Sequence, residues 1–210
     1  SLNIDHGEII KLLDRAVISG DDTCTIKLEE GLTIESTSVV MGIIEAYGTI
    51  LDKKTLSSGQ YIKVEGLAQA SMFNILPIEY RLGARLKANK LQHLGQQKEI
   101  SGKICLSHKL DGVELGLRID PKTKIIVEAW FDGRKDIVQK TILEAFCCVI
   151  KGLPFQDASD YSGFKLLHFL RDFRLPRTKS GVNTSANLHP FFNFPVVLIR
   201  HFHKKLSGHN

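Results

Sequence analysis

The sequence predicts an α+β fold: an antiparallel sheet in the C-terminal half with helices packed on one face, preceded by a smaller α/β N-terminal region. Three observations lead there. Val113, Leu115, Leu117 and Ile119 alternate with Glu114, Gly116 and Arg118, the period-two pattern of a strand with one buried face. Ile125 to Phe131 follows and is rich in β-branched and aromatic residues, which suit a second strand. From Asp136 onward, Ile137, Val138, Ile142, Ala145, Phe146, Val149 and Ile150 recur at helical spacing until Gly152 ends the helix. Asp120-Pro121-Lys122-Thr123 joins the strands, with Pro121 presetting the backbone angle of a turn.

The N-terminal elements follow the same logic. Asp5 can cap a helix whose Ile9, Ile10, Leu12, Leu13, Ala16 and Val17 form a broad apolar stripe, ending near Gly20. Thr25 to Leu28 and Thr33 to Glu35 alternate around Glu30-Gly31, which predicts a hairpin. Ser36 or Thr37 then caps a helix through Val40, Ile43, Ile44 and Tyr47. Tyr61 to Glu65 reads as a strand, and Ala68 to Ala88 as a helix interrupted at Pro77. Between Lys87 and Gly102 the chain turns polar, which suits a connector and places a boundary between residues 1–90 and 91–210.

The 210 residues, 43% of them hydrophobic, can bury a sizeable core. No apolar run approaches the roughly 20 residues that a bilayer requires, and Ser1 to Asp5 lacks the basic start and apolar stretch of a signal peptide, so a soluble, cytoplasmic protein without membrane attachment is expected. Cys24, Cys105, Cys147 and Cys148 show no CxxC spacing and read as reduced thiols. Charge is uneven: residues 161–210 carry eight Lys or Arg against one Asp, +7 of the formal +5, leaving the rest at −2. Such a basic end can meet phosphates or an acidic partner.

The stretch IIVEAWFDGRKDIVQKTILEAFCCVIKGLPFQDAS resembles the hairpin-to-helix core shared by NifU/IscU-type iron–sulfur scaffolds and SufE sulfur-acceptor proteins, over about residues 100 to 180. The likeness to SufE lies in strand, Asp/Gly turn and apolar helix. The likeness to the scaffolds lies in Lys151-Gly152 and Gln156-Asp157-Ala158 after the helix. The resemblance implies three cysteine ligands for a cluster, or one mobile cysteine for a persulfide. The scaffold Cys-Gly-Asp falls on Lys109, Leu110 and Asp111, and the second cysteine near Lys135 or Asp136. No cysteine lies beyond Cys148. A cysteine-depleted site without a cluster or other cofactor is therefore expected, with Lys109, Asp111 and Lys135 at the matching surface. The resemblance implies a protein partner there, a cysteine desulfurase.

Cys105, just before the hairpin, is the candidate persulfide site, and Lys103, His108 and Lys109 nearby favour its thiolate. The alternative is a cysteine buried in a strand. Cys147 and Cys148, in an apolar helix, read as small core residues. Arg174, Arg177 and Lys179 in the basic turn up to Gly181 are candidate binding residues, for a protein or for nucleic acid. Asn187 to Val197 reads as core cover. His201 and His203, with His189 or His209, are a weak metal set amid cations, so no metal site is expected. No Ser/His/Asp order, HExxH, paired carboxylates or glycine-rich nucleotide loop occurs, which argues against catalysis. The expected functions are, in order, a non-catalytic protein-binding relative of the scaffold and sulfur-acceptor proteins, a sulfur-transfer protein using Cys105, and a nucleic-acid-binding module using the basic end.

Overall fold

The computed structural model describes residues 6–28, 34–56, 59–95, 102–133, 136–175, 177 and 187–206. Two compact units result, residues 1–75 and 76–210, so the division falls before Pro77 and not in the polar connector near residue 90. The reason is that the helix after Pro77 packs on two helices of the second unit, Ile137–Ile150 and Phe155–Leu170.

The first unit runs α1 (His6–Ser19), β1 (Thr23–Leu28), α2 (Ile34–Glu45), β2 (Thr49–Leu56), β3 (Gly59–Glu65), α3 (Leu67–Ser71) and a 3₁₀ turn (Met72–Ile75). Its sheet is antiparallel in the order β1-β3-β2. Of the expected hairpin, Glu30, Gly31 and Thr33 lie outside the described residues, and the described part of its second arm is not a strand. Ile34 and Glu35 begin α2, and β1 pairs with β3, setting Ile26 opposite Ile62. Long-range pairing places the buried Ile26 and Leu28 beside Ile62 and Val64, where a three-residue local partner offers no comparable apolar face. Ile9, Ile10, Leu13 and Val17 of α1, Val40, Ile43 and Ile44 of α2, and Tyr47 just after α2 complete this core. Tyr47 donates its hydroxyl to Asp14 Oδ1 at 2.9 Å.

The second unit runs α4 (Ile78–Ala88), β4 (Ile104–Leu110), β5 (Val113–Ile119), β6 (Ile126–Asp132), α5 (Ile137–Ile150), α6 (Phe155–Leu170) and α7 (Pro190–Leu206). Its sheet is an antiparallel meander, β4-β5-β6, with Leu106, Leu117 and Ala129 in one register row and His108, Leu115 and Phe131 in the next. These rows form the core face, against which α5 and α7 pack. The predicted pairing of 113–119 with 125–131 and its docking on the helix from Asp136 are both present.

The ends of α5 show why the chain turns where it does. Asp136 caps the start, its Oδ1 accepting from the Val138 amide at 2.8 Å. At the other end Gly152 adopts a φ of 83°, and its amide donates to Ile126 O at 2.8 Å, tying the helix C-terminus to the start of β6. α7 contains Pro195, whose missing amide costs a helix interior about 3 kcal/mol. Phe192, Val196, Leu198, Ile199 and Phe202 are all at most 2% exposed, and at about 1.5–3 kcal/mol per buried side chain their burial outweighs that cost. The expectation of core cover from Asn187 to Val197 thus holds, as a helix.

The outer face of the meander carries a close contact. Trp130 lies over Gly116 on the neighbouring strand, where a Cβ would stand 2.0 Å from the indole. Gly116→Ala should therefore destabilise the protein by about 1–3 kcal/mol, whereas Gly42→Ala, in α2 with nothing within 4 Å, should be neutral or stabilising. Urea midpoints of the two variants check this, and equal midpoints would contradict it.

Candidate functional site

One end of the meander gathers the residues that the scaffold resemblance singles out. Asp111 and Gly112 form a two-residue turn with φ of 48° and 77°, the mirror-image geometry that Asp-Gly favours in hairpins. Gly133 approaches this turn so closely that a Cβ would meet Gly112 O at 2.0 Å. The β4–β5 turn and the exit of β6 toward the Asp136 cap therefore share one rim. Asp111 and Lys109 are exposed there, and Lys135 lies outside the described residues. Lys151-Gly152, the other part of the resemblance, sits at the opposite end of the sheet beside Ile126. The two parts do not meet in one site.

Cys105 is exposed on the edge strand β4, opposite Arg118 of β5. The cations around it point elsewhere. Lys103 pairs with Asp120, and Arg118 with Glu128. His108 lies on the core-facing side of the strand, its ring stacked on His201 at 4.5 Å between centroids. Only Lys109 shares the face of Cys105 among the three neighbours that sequence suggests. Asp120 itself is held far below the usual carboxylate range, first by the Lys103 hydrogen bond and then by the Thr123 amide.

The basic segment after α6 is partly engaged within the chain. Arg174 grips Asp172 with two hydrogen bonds, of 2.8 and 2.7 Å, which hold the Asp172 carboxyl below its ordinary value. Arg177 is exposed, and Lys179 lies outside the described residues. His201 is an exposed residue of α7, and His209 lies outside the described residues. Beside this segment α6 exposes Tyr161, Phe164 and Phe169, with Phe173 just beyond it, at 55, 48, 49 and 60%. Cations touch two of them: Lys87 lies 5.9 Å from the Phe169 centroid and Arg171 5.1 Å from that of Phe173.

A second cluster escapes the sequence analysis. Glu144, in the apolar stripe of α5, has a fully buried side chain. Its Oε2 accepts from the His93 amide at 2.8 Å, and its Oε1 lies 2.7 Å from His93 Nδ1 and 3.7 Å from Lys87 Nζ. Burial works to raise the Glu144 carboxyl, but the hydrogen bonds from the His93 ring and from the His93 and Gln92 amides outweigh it, so its pKa lies below the ordinary value. Cys148, one turn along α5, brings its Sγ to 3.9 Å from both Glu144 Oε1 and His93 Nδ1. Cys147 is the core residue that the apolar helix implies, with burial pushing its thiol up. Cys148 is not: it is half-buried and faces polar groups. Both the carboxylate and the sulfur approach the same imidazole nitrogen, so this is not a nucleophile–base–orienter triad, which needs one partner on each nitrogen.

No protein-family model matches the chain, and no curated protein or solved structure matches it either. No helix of the described residues is long and apolar enough to cross a membrane.

The four thiols should separate under alkylation. Cys105 is expected to react first, Cys24 and Cys148 later, and Cys147 only as the protein unfolds. Peptide mapping by mass spectrometry after timed exposure to iodoacetamide checks the order. Cys147 reacting as fast as Cys105 would refute the placement of α5.

Proposed function

We propose that residues 76–210 act as a non-catalytic protein-binding module of the iron–sulfur scaffold and sulfur-acceptor kind, without a cluster of their own, docking a partner through α6. The observation that carries this reading is the exposure of four aromatic side chains along and just beyond α6: Tyr161, Phe164, Phe169 and Phe173. Single exposed apolar residues are ordinary on protein surfaces, but several exposed aromatics in one segment, two of them touched by cations, are typical of recognition surfaces. Lys165, His168, Arg171 and Arg177 belong to the same segment, His168 and Arg171 lying against Phe173, and its positive charge favours an acidic counterpart. The resemblance in β5, β6 and α5 points to a cysteine desulfurase as that partner. The rim at Asp111, Gly112 and Gly133 offers carboxylate and backbone but no sulfur, which agrees with binding in place of cluster assembly.

A purified cysteine desulfurase and the full chain, measured by isothermal titration calorimetry, test the proposal. Saturable binding is expected, weakened about 10-fold or more by Phe164→Ala or Phe169→Ala, as for aromatic hot spots. No binding, or binding indifferent to both substitutions, would refute it. Single-stranded nucleic acid bound through the same phenylalanines, with a steep loss at high salt, would replace the protein partner with stacking recognition.

The exposure of Cys105 favours sulfur transfer as a second reading. Its mark is a persulfide, one added sulfur, on Cys105 after incubation with desulfurase and cysteine, and no such adduct in Cys105→Ser.

A further inference from the structure

His93, Glu144 and Cys148 bring one nitrogen, one oxygen and one sulfur atom within 4.8 Å of one another. A buried glutamate needs hydrogen-bond partners, and the His93 ring and amide with the Gln92 amide supply them. Cys148 is superfluous to that role, because 3.9 Å from both atoms makes it a weak partner. What the thiol adds is a third ligand type. We propose that these three side chains bind one zinc-class divalent cation, leaving a fourth position for water or an exogenous ligand.

The geometry is close to what such an ion requires. Tetrahedral zinc, with bonds of about 2.0 Å to nitrogen and oxygen and about 2.3 Å to sulfur, sets its ligand atoms roughly 3.3–3.6 Å apart. The Cys148 distances of 3.9 Å close by a few tenths of an ångström, and the His93–Glu144 contact of 2.7 Å opens by less than 1 Å. The ligands are also pre-positioned. Glu144 and Cys148 are four residues apart on one face of α5. His93 is held by its own amide on Glu144 and by its carbonyl, which accepts from the Phe131 amide at 2.9 Å. Ligation through Oε1 leaves the amide bond to Oε2 intact, the kind of outer-shell support that metal-bound carboxylates have.

Protons and charge balance. The thiol proton of Cys148 leaves to solvent, and the His93 ring proton moves from Nδ1 to Nε2. The dication then meets two anionic ligands, and Lys87 withdraws from Oε1. Sulfur with imidazole selects zinc, cobalt or ferrous ions over magnesium and calcium, which prefer all-oxygen sites.

Cobalt(II) is the probe, added to the full chain carrying Cys24→Ser and Cys105→Ser so that only Cys147 and Cys148 remain. One equivalent should produce a thiolate-to-cobalt charge-transfer band that zinc abolishes by displacement. Adding Cys148→Ser should remove the band and weaken zinc binding at least 10-fold, while circular dichroism and cooperative unfolding stay as in the parent. His93→Gln should weaken zinc likewise. The histidines of α7 cannot imitate the band, since it requires sulfur. Absence of a band in the parent, or its persistence in Cys148→Ser, would overturn the site.

Discussion

The second unit depends on satisfying one buried charge. An ionised carboxylate without partners inside a protein costs several kcal/mol, so Glu144 can occupy the apolar face of α5 only because other segments reach in to meet it. The amides and ring that do so belong to residues 92 and 93, well before the sheet in sequence. This requirement brings the connector down beside β6, where Phe131 donates to His93 O and Gly95 donates to Phe131 O. The edge of β6 is thereby paired at Phe131, which shortens the free row of backbone groups that invites aggregation. Lys87, at the end of α4, adds a cation 3.7 Å from the same carboxylate. One charge thus joins α4, the connector, β6 and α5, and the unit boundary falls before α4 as a consequence.

Legibility in the sequence followed the strength of local pattern. β5, β6 and α5 declared themselves because their periodicities are clean and their ends carry Asp136 and Gly152. The false hairpin at residues 25–35 shows the opposite case: alternation over a few residues says nothing of which partner a strand takes, and β3 won with Ile62 and Val64. β2 escaped notice because Asp52, Lys53 and Lys54 break its pattern on an exposed face. β4 had a readable signal, since Asp111-Gly112 between alternating segments is the strongest short-range hairpin mark. In α7, Pro190 and Pro195 concealed a helix whose first position suits proline and whose interior tolerates it. The His93, Glu144 and Cys148 cluster was hidden because His93 and Glu144 lie 51 residues apart. A clue existed nonetheless: Glu144 is the lone charge in Ile142 to Ile150, and a charge there demands a partner.

Cysteine placement sets what sulfur chemistry the C-terminal unit can support. Cys105 lies on the outer side of β4, while Cys147 and Cys148 lie on α5, beyond the core face of the same sheet. The sheet stands between them, so no two-thiol site can draw on both sides. The rim at Asp111 and Gly133, where the meander turns, has neither. The thiols of this unit therefore lie on two sides of one sheet, with Cys105 the exposed one.

Lys87 links the aromatic surface to the buried cluster. Its ammonium lies 3.7 Å from Glu144 Oε1 and 5.9 Å from the Phe169 ring centroid, so the two contacts share one cation. The buried carboxylate is the stronger attractor, because opposite charges away from water interact by several kcal/mol, against about 0.5–1 kcal/mol for an exposed cation–π contact. Lys87 is accordingly only 17% exposed. Both contacts of Lys87 hold in the same arrangement, so one ammonium ties α4 to α5 through Glu144 and to α6 through Phe169.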